Sequence, residues 1–508
     1  SPESARGVRG DDTGGARGPR EDAGHGAGED AGDGAGEWWM APAVLRRVRN
    51  LSLARAREAI RPVGPHALQR LVLTRAGLVE PRAGIDALAD AVAALEGVWL
   101  PATAWETTVL PMRVSDYRPA MLDELIASGD VIWRARGGAV SADGTAGAAG
   151  SGGSESAAGR GEAPGSPAEI AFYPSDSPLA PEIGEPVDAD AQHADEVWAL
   201  AVRGLATAAS FEPVRRALAP AAGPRTAPPS RRVRSRRGRR LMMEMPRAGE
   251  VTAAGRLSLV VGSTSWVRLS GAPAGDEERA IAQVESLLDR YGVVCRDLAL
   301  AFGGAGGLGP LMPVLRRMEE TGVILRGSFI EGLGPAQFAE RESVERLRSL
   351  SHDPGGAAAT PAVLDLKDPA CLVGRGVRWP EPVLPAGLGE SAGGGGGETG
   401  GPPVRRQGAS VVVLGGAPVL YASENLKVLI SYTSEREDLV RALTALAADR
   451  QATFARQGAA IRRRTVVETL NGVTTLAPAV SDLLSQAGFV RDPKGMRLAV
   501  GTSGATWR

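Results

Sequence analysis

A chain of 508 residues is too long for one ordinary hydrophobic core, and its length suggests about three domains. Its formal net charge of −1 argues neither for nor against a polyanionic partner, while 67 Gly and 36 Pro assign a good part of the chain to loops or unfolded segments. Cys295 and Cys371 could form at most one disulfide, no Cys/His cluster has a zinc spacing, no signal peptide opens the sequence, and no uninterrupted apolar run reaches bilayer length, so reduced thiols, no metal and no membrane partner are expected.

Ser1 to Gly36 is rich in Gly, Ala, Asp and Glu without apolar periodicity, and a disordered tail (1–36) is expected there. From Glu37-Trp38-Trp39 the composition changes. Val44, Leu45, Val48, Leu51 and Leu53, interleaved with Arg46, Arg47, Arg49, Arg55 and Arg57, predict an amphipathic basic helix, either phosphate-facing or simply solvated, in a remnant of an upstream domain (37–64). Gly84 to Leu95 predicts a further helix. Pro119 then opens a helix that buries Leu122, Leu125 and Ile126; Gly129 closes it and Val131-Ile132-Trp133 is a strand. Ile170-Ala171-Phe172-Tyr173 is its expected partner across a Gly/Ala/Ser insert (137–168), within a domain spanning 65–182.

Leu122, Leu125, Gly129 and Val131 are spaced as are Leu315, Met318, Gly322 and Ile324; Val197, Leu200 and Gly204 echo the first three, and Val480, Leu483, Leu484 and Gly488 lead into Phe489-Val490. Helix, glycine, strand is therefore expected up to four times. Between the second and third copies, Arg225 to Arg247 holds nine arginines against one acid, Glu244, so residues 183–250 read as a partial unit and an Arg-rich linker. Seven arginines between Arg231 and Arg240, all engaged on phosphates, would give a salt slope of about −6; a solvated linker is the plain alternative.

Asp276 to Arg348 is the most informative stretch. Ile281, Val284, Leu287 and Leu288 recur at helical spacing before Tyr291-Gly292; a short helix follows over Arg296 to Phe302, then a Gly303 to Gly309 turn. A third helix buries Leu311, Val314, Leu315 and Met318 and leaves Arg316 and Arg317 outside, and β-prone runs flank Arg326-Gly327. These elements resemble a winged helix-turn-helix (251–353), whose third helix enters a major groove while the wing tracks phosphates; protein contact alone is the other use of such a unit. Beyond it, Ala362 to Leu366, Ser410 to Leu414, Val419 to Tyr421, Val428 to Ile430 and Arg464 to Glu468 predict a small β-barrel or sandwich (354–508) with a disordered insert (387–403) and a C-terminal helix-strand element. The fold class expected is α+β: an array of winged helix-turn-helix modules followed by a small β-barrel, with disordered inserts.

Several stretches together resemble the C-terminal region of the bacterial large helicase-related (Lhr) proteins: LPMRVSDYRPAMLDELIASGDVIW (Leu110 to Trp133), LLDRYGVVCRD (Leu287 to Asp297), RGSFIEGLGPAQFA (Arg326 to Ala339), Lys367-Asp368-Pro369…Gly374…Trp379-Pro380, and Gly488-Phe489…Gly495-Met496-Arg497-Leu498. The resemblance implies an ATP-driven DNA translocase whose motor precedes winged helices and a β-barrel. It also implies likeness to AlkZ-type DNA glycosylases, with uracil removal and tetramer formation in some members, and a place in the bacterial cytoplasm near the nucleoid. This sequence departs from the family in its motor. None of Lys367, Lys427 and Lys494 follows a glycine as a G-x-x-x-x-G-K-[ST] loop requires, and neither Asp123-Glu124 nor Asp195-Glu196 begins a D-E-x-H box. ATP and Mg would belong to that missing motor, and no cofactor is expected in this chain.

Three functions stay open: the DNA-binding region of an Lhr-type ATP-dependent helicase involved in DNA repair, a DNA glycosylase removing uracil or damaged bases, and an oligomerisation scaffold. The expected partners are single-stranded or forked DNA, a helicase motor, and further copies of the chain. Arg231, Arg232, Arg234, Arg236, Arg237, Arg239, Arg240, Arg316, Arg317 and Arg326 are the candidate DNA-binding residues. No catalytic residue is assigned. Asp365 and Asp368 suit glycosidic cleavage by residue type, although Asp368-Pro369 also reads as a turn. His25, His66, His193 and His352 lack a Ser or Cys partner motif. Trp38, Trp39, Trp105 and Trp133 could stack on bases or lie in a core, and Gln337-Phe338 could face the wing or cap the next helix.

Overall fold

The computed structural model describes residues 61–137, 167–188, 193–218, 261–302, 306–352, 360–388, 403–457 and 465–498, apart from 262, 272 and 273, together with a few positions between 41 and 51. The chain divides into a unit ending at Ala54 and a unit spanning Arg55–Arg508. In the first, Val44, Val48 and Leu51 are helical, as their spacing predicts, and all three are exposed. The tail 1–36 and the inserts expected at 137–168 and 387–403 lie largely outside the described residues.

The larger unit begins with α1 (Pro65–Arg75) and α2 (Ile85–Ala94). Strand β1 (Leu100–Pro101) leads into α3 (residues 102–113), which carries a π-helical turn at Trp105–Val109. Then come α4 (Pro119–Ala127), β2 (Val131–Gly137), β3 (Pro167–Pro174) and β4 (Ile183–Val187). After α5 (Ala194–Val202), β5 (Ala206–Ala208), α6 (Glu212–Leu218) and β6 (Trp266–Leu269), the chain enters α7 (Asp276–Tyr291). The next elements are β7 (Val293–Val294), α8 (Arg296–Phe302), α9 (Met312–Thr321), β8 (Leu325–Gly327), β9 (Gln337–Ala339) and α10 (Arg341–His352).

One unit recurs four times. Helices α4, α5 and α9, and α12 (Pro478–Gln486), each run into a glycine of positive φ: Gly129 (86°), Gly204 (72°), Gly322 (82°) and Gly488 (88°). That left-handed residue stops the helix without a Cβ penalty and turns the chain into the first strand of an antiparallel hairpin. The hairpins are β2–β3, β5–β6, β8–β9, and β17 (Phe489–Asp492) with β18 (Gly495–Leu498). An earlier strand joins each hairpin along its second member, giving sheets β1-β3-β2, β4-β6-β5, β7-β9-β8, and β18 between β17 and β14 (Val466–Val467).

Among the described residues, three large cores and a smaller cluster around Ile132, Tyr173 and Leu269 hold these elements. The first collects the buried faces of α2 to α6 with β2, β3, β5 and β6 around Trp105, Trp133, Phe172, Phe211 and Trp266, whose rings meet mostly edge to face at 4.8–6.1 Å. The second gathers α7 to α10 with Leu68, Leu71 and Val72 of α1 and residues 364–377. Helix α1 therefore packs into the core of the later module although it precedes the earlier one in sequence.

The third core corrects one expectation. Strands β10 (Ala362–Asp365), β11 (Ser410–Leu414), β12 (Ala417–Ala422), β13 (Val428–Ser431), β15 (Thr469–Leu470) and β16 (Val473–Thr474) form a six-stranded sheet in that order. Its outer strands do not pair with each other, so the expected small β-barrel is an open sheet among the described residues. A helix takes the place of closure. Val412, Leu420 and Leu429 pack against Leu439, Leu443 and Leu446 of α11 (Arg436–Gln457) and against Leu483 and Leu484 of α12, which removes the apolar face from water without a closed ladder. Among the described residues no helix is long and apolar enough to cross a membrane.

Candidate nucleic-acid interface

Helix α9 presents the sequence-predicted arginines. Pro at its first turn and Gly322 past its end fix its length, and Val314 and Leu315 are buried with Met318 half-buried, so Arg316 and Arg317 point to solvent. They differ in availability. Arg317 donates to Glu277 on the first turn of α7 at 2.6 Å, whereas Arg316 has no acid partner among the described residues. Arg326 lies half-buried in β8 opposite Phe338 in register, its guanidinium 5.7 Å from the ring centroid, which holds the cation on the wing without neutralising it.

Gln337 fixes the wing from inside. Its amide oxygen accepts from Phe329 N (2.9 Å) and Ile330 N (2.8 Å), and its nitrogen donates to Ile330 O (2.8 Å) and Gly334 O (2.7 Å). Fully buried and fully bonded, it neither faces a ligand nor caps α10, contrary to both sequence readings. The seven arginines Arg231, Arg232, Arg234, Arg236, Arg237, Arg239 and Arg240 lie outside the described residues.

The corresponding helix of the earlier module, α4, has a different surface. Glu124 is exposed, and Asp123 is engaged by Arg215 of α6 at 2.6 Å. The same guanidinium grips both oxygens of Glu106 at 2.9–3.1 Å and donates to Pro119 O at the start of α4 (3.1 Å), while Tyr117 donates to Glu106 at 2.8 Å. Burial, with Glu106 beside it, pushes the Tyr117 hydroxyl well above the usual phenol range. The first turn of α4 is thereby clamped to α3 and α6.

Neither candidate carboxylate of the 360s is free. Asp368 is buried, receives both terminal nitrogens of Arg113 at 2.8 Å, and accepts Ala370 N with one of the same oxygens at 2.8 Å. Arg113 in turn donates to Val109 O (2.9 Å), so this pair ties α3 to the Lys367-Asp368-Pro369 turn. Asp365 accepts Lys367 N and Gly408 N, both at 2.8 Å, and burial raises its carboxyl above the ordinary aspartate value. Gln69 reinforces the turn from α1, donating to Ala370 O (2.7 Å) and accepting Leu372 N (3.0 Å). These contacts are structural: each oxygen is occupied by a backbone N–H or by the Arg113 guanidinium. Trp105 and Trp133 are likewise core residues, their ring N–H groups donating to Ile170 O and Ala208 O.

Two segments match family models described as winged-helix domains of the large helicase-related protein, the fourth such domain over residues 273–359 and the third over 63–147. Over these segments the chain resembles the Lhr proteins. It is 33% identical over 497 residues to the Lhr helicase/uracil glycosylase of Escherichia coli strain K12, and 31% identical over 491 residues to the Lhr helicase/probable uracil glycosylase of Mycolicibacterium smegmatis. Those alignments take in 90% and 91% of this chain but 30% of each relative, so the chain spans about a third of the length of the Lhr proteins it matches. The model over 273–359 covers α7 to α10 with the wing that carries Arg326, and the model over 63–147 covers α1 to α4 and β2.

Proposed function

We propose that this Lhr-like segment holds single-stranded or forked DNA by its phosphates, as the nucleic-acid-binding part of a helicase system in DNA repair in the bacterial cytoplasm. The observation that carries this reading is the third helix of a module matched to an Lhr winged-helix domain, which turns Arg316 to solvent with no acid partner among the described residues, beside a wing carrying Arg326. Guanidinium groups placed this way neutralise backbone phosphates and read little sequence. The Arg231 to Arg240 run would add several phosphate contacts. The test is binding of the purified chain to labelled single-stranded, forked and duplex DNA of mixed sequence. Affinity that is independent of sequence and falls when Arg316 and Arg326 are both changed to Ala supports the reading; no binding at low salt removes it and leaves the oligomerisation scaffold in front.

The names of both relatives favour a second reading, removal of uracil from DNA. Its test is abasic-site formation on a uracil-containing single strand, revealed by alkali. The locked geometry of Asp368 places it outside that chemistry, so an activity lost in Asp368→Asn at full folding would overturn the structural role given to it here.

A further inference from the structure

The Lys367-Asp368-Pro369…Gly374…Trp379-Pro380 stretch ends on an aromatic group that the phosphate contacts leave unused. Trp379 stacks on Tyr432 with ring centroids 5.5 Å apart and planes 29° from parallel, and Tyr421 meets it edge-on at 5.7 Å. Gly374 makes the arrangement possible. Its φ is +76°, and a Cβ there would lie 2.8 Å from the indole nitrogen and 3.4 Å from Cδ of Arg405, so the ring edge and the arginine stem both close on a position that only glycine leaves open.

The polar groups around this stack lack partners. Trp105, Trp133 and Trp266 are buried and each donates its ring N–H to a backbone carbonyl, as core tryptophans do. Trp379 is half-buried, and its N–H meets no acceptor among the described residues. The hydroxyl of Tyr432 and Nε of Arg405 are enclosed and also without a partner, although the other guanidinium nitrogens of Arg405 bond Leu366 O, Cys371 O and Val373 O. Enclosed polar groups are ordinarily satisfied, so the unmet Tyr432 hydroxyl and Arg405 Nε beside one aromatic stack mark it as unusual, and the Trp379 N–H adds an unused donor at its open edge. Arg378 and Arg406 are exposed in the adjoining segments, and the acid nearest Arg406, Glu424, is 3.9 Å away with both side chains in solvent. Trp99, the other half-buried tryptophan among those described, already carries the Arg136 guanidinium 4.6 Å from its ring centroid.

We propose that the Trp379–Tyr432 stack is a base-stacking site for single-stranded nucleic acid: an unpaired base lies against the aromatic group, an acceptor on it meets the unused Trp379 N–H, and Arg378 and Arg406 take the adjoining phosphates. An unpaired base supplies what the site lacks, a π face together with ring and carbonyl acceptors, and stacking needs no particular base. The inference rests on the nucleic-acid-holding reading above and adds to it a preference for strands whose bases are free.

The test compares the full chain with Trp379→Ala, Trp379→Leu and Trp379→Phe on three labelled probes: a mixed-sequence single strand of DNA, a strand of equal length with abasic spacers in place of its bases, and a duplex. Thermal melting reports folding, and Trp379→Leu keeps apolar volume without a π face. The expected result is a loss of about 5- to 150-fold in affinity for the base-bearing strand in the Ala and Leu variants, near wild-type binding in Trp379→Phe, and no change on the spacer strand or the duplex. Folded Ala or Leu variants with unchanged single-strand affinity would overturn the site. Equal losses on base-bearing and spacer strands would make Trp379 a structural support and overturn it as well. Wild-type binding to duplex alone would overturn this inference and leave phosphate holding in place, whereas no binding to any probe would remove both.

Discussion

The winged-helix modules matched over 273–359 and 63–147 share an element order and differ in what they show to solvent. In the later one, α9 exposes Arg316 and Arg317 and the wing carries Arg326. In the earlier one, α4 exposes Glu124, commits Asp123 to Arg215, and has its first turn tied to α6 through Pro119 O. The helix-glycine-hairpin scaffold therefore does not decide whether a module can face a polyanion. The charge on the outer face of the third helix, and what is bonded to its first turn, decide it. The earlier module is better suited to joining neighbours: Arg113 reaches Asp368, and Arg290 of α7 caps the end of α2 by donating to Ala94 O (2.8 Å) and to Glu96 O (3.0 Å).

The largest expected effect comes from breaking that joint. Arg113→Met leaves Asp368 buried and uncompensated, which should cost about 3–5 kcal/mol in a urea titration, and adding Asp368→Leu should recover most of it. A single variant as stable as wild type would deny the joint its role. Next is Arg215→Ala, which leaves Glu106 and Asp123 without their shared cation; a loss of about 2–3 kcal/mol is expected, with DNA affinity unchanged below the melting temperature.

A pH series checks the core beneath the 360s. Burial pushes the Cys371 thiol from 9.0 up to about 11, so ionisation is harder in the folded than in the unfolded chain. The stability this thiol contributes is thus fully present below pH 9.0 and lost as pH rises toward about 11. Cys371→Ala should flatten that alkaline decline, and an unaltered pH profile would mean that other groups produce it. On the exposed face, Arg316→Ala with Arg326→Ala should change stability by only about 0.5 kcal/mol or less. The same pair should make the salt slope on a single strand shallower by about 0.7 for each phosphate that is no longer neutralised. Glu124→Ala on α4 should leave affinity where it was. The smallest effect sharpens the contrast from the other side: Glu277→Gln releases Arg317, and binding should tighten slightly at low salt.

Much of this architecture is legible in the residues. The spacing Leu122, Leu125, Gly129, Val131 and its echoes mark all four helix-glycine-strand units, because a helix stopped by a left-handed glycine leaves a local signature. Helix α11 was hidden by the β-prone runs around it, although Leu439, Leu443 and Leu446 with Ala442 and Ala447 do carry a helical period. The open sheet was not legible either, since closure depends on which strands meet at the edges rather than on their composition. For the interface, Arg316 and Arg317 were placed outside α9 by periodicity alone, but the pairing of Arg317 with Glu277 spans 40 positions and has no local sign. Asp368 shows the same limit from the other direction. Its residue type suits catalysis, and only the approach of Arg113, 255 positions away, shows that its oxygens are taken.

Phosphate holding is tested most directly by the salt dependence of single-strand binding in the full chain and in a variant with all seven arginines between Arg231 and Arg240 changed to Gln. Phosphate holding predicts a steep slope in the wild type and a slope shallower by about 5 in the variant on single strands, with mixed sequences behaving alike. A wild-type slope near zero, or a variant as salt-sensitive as the wild type, would contradict it.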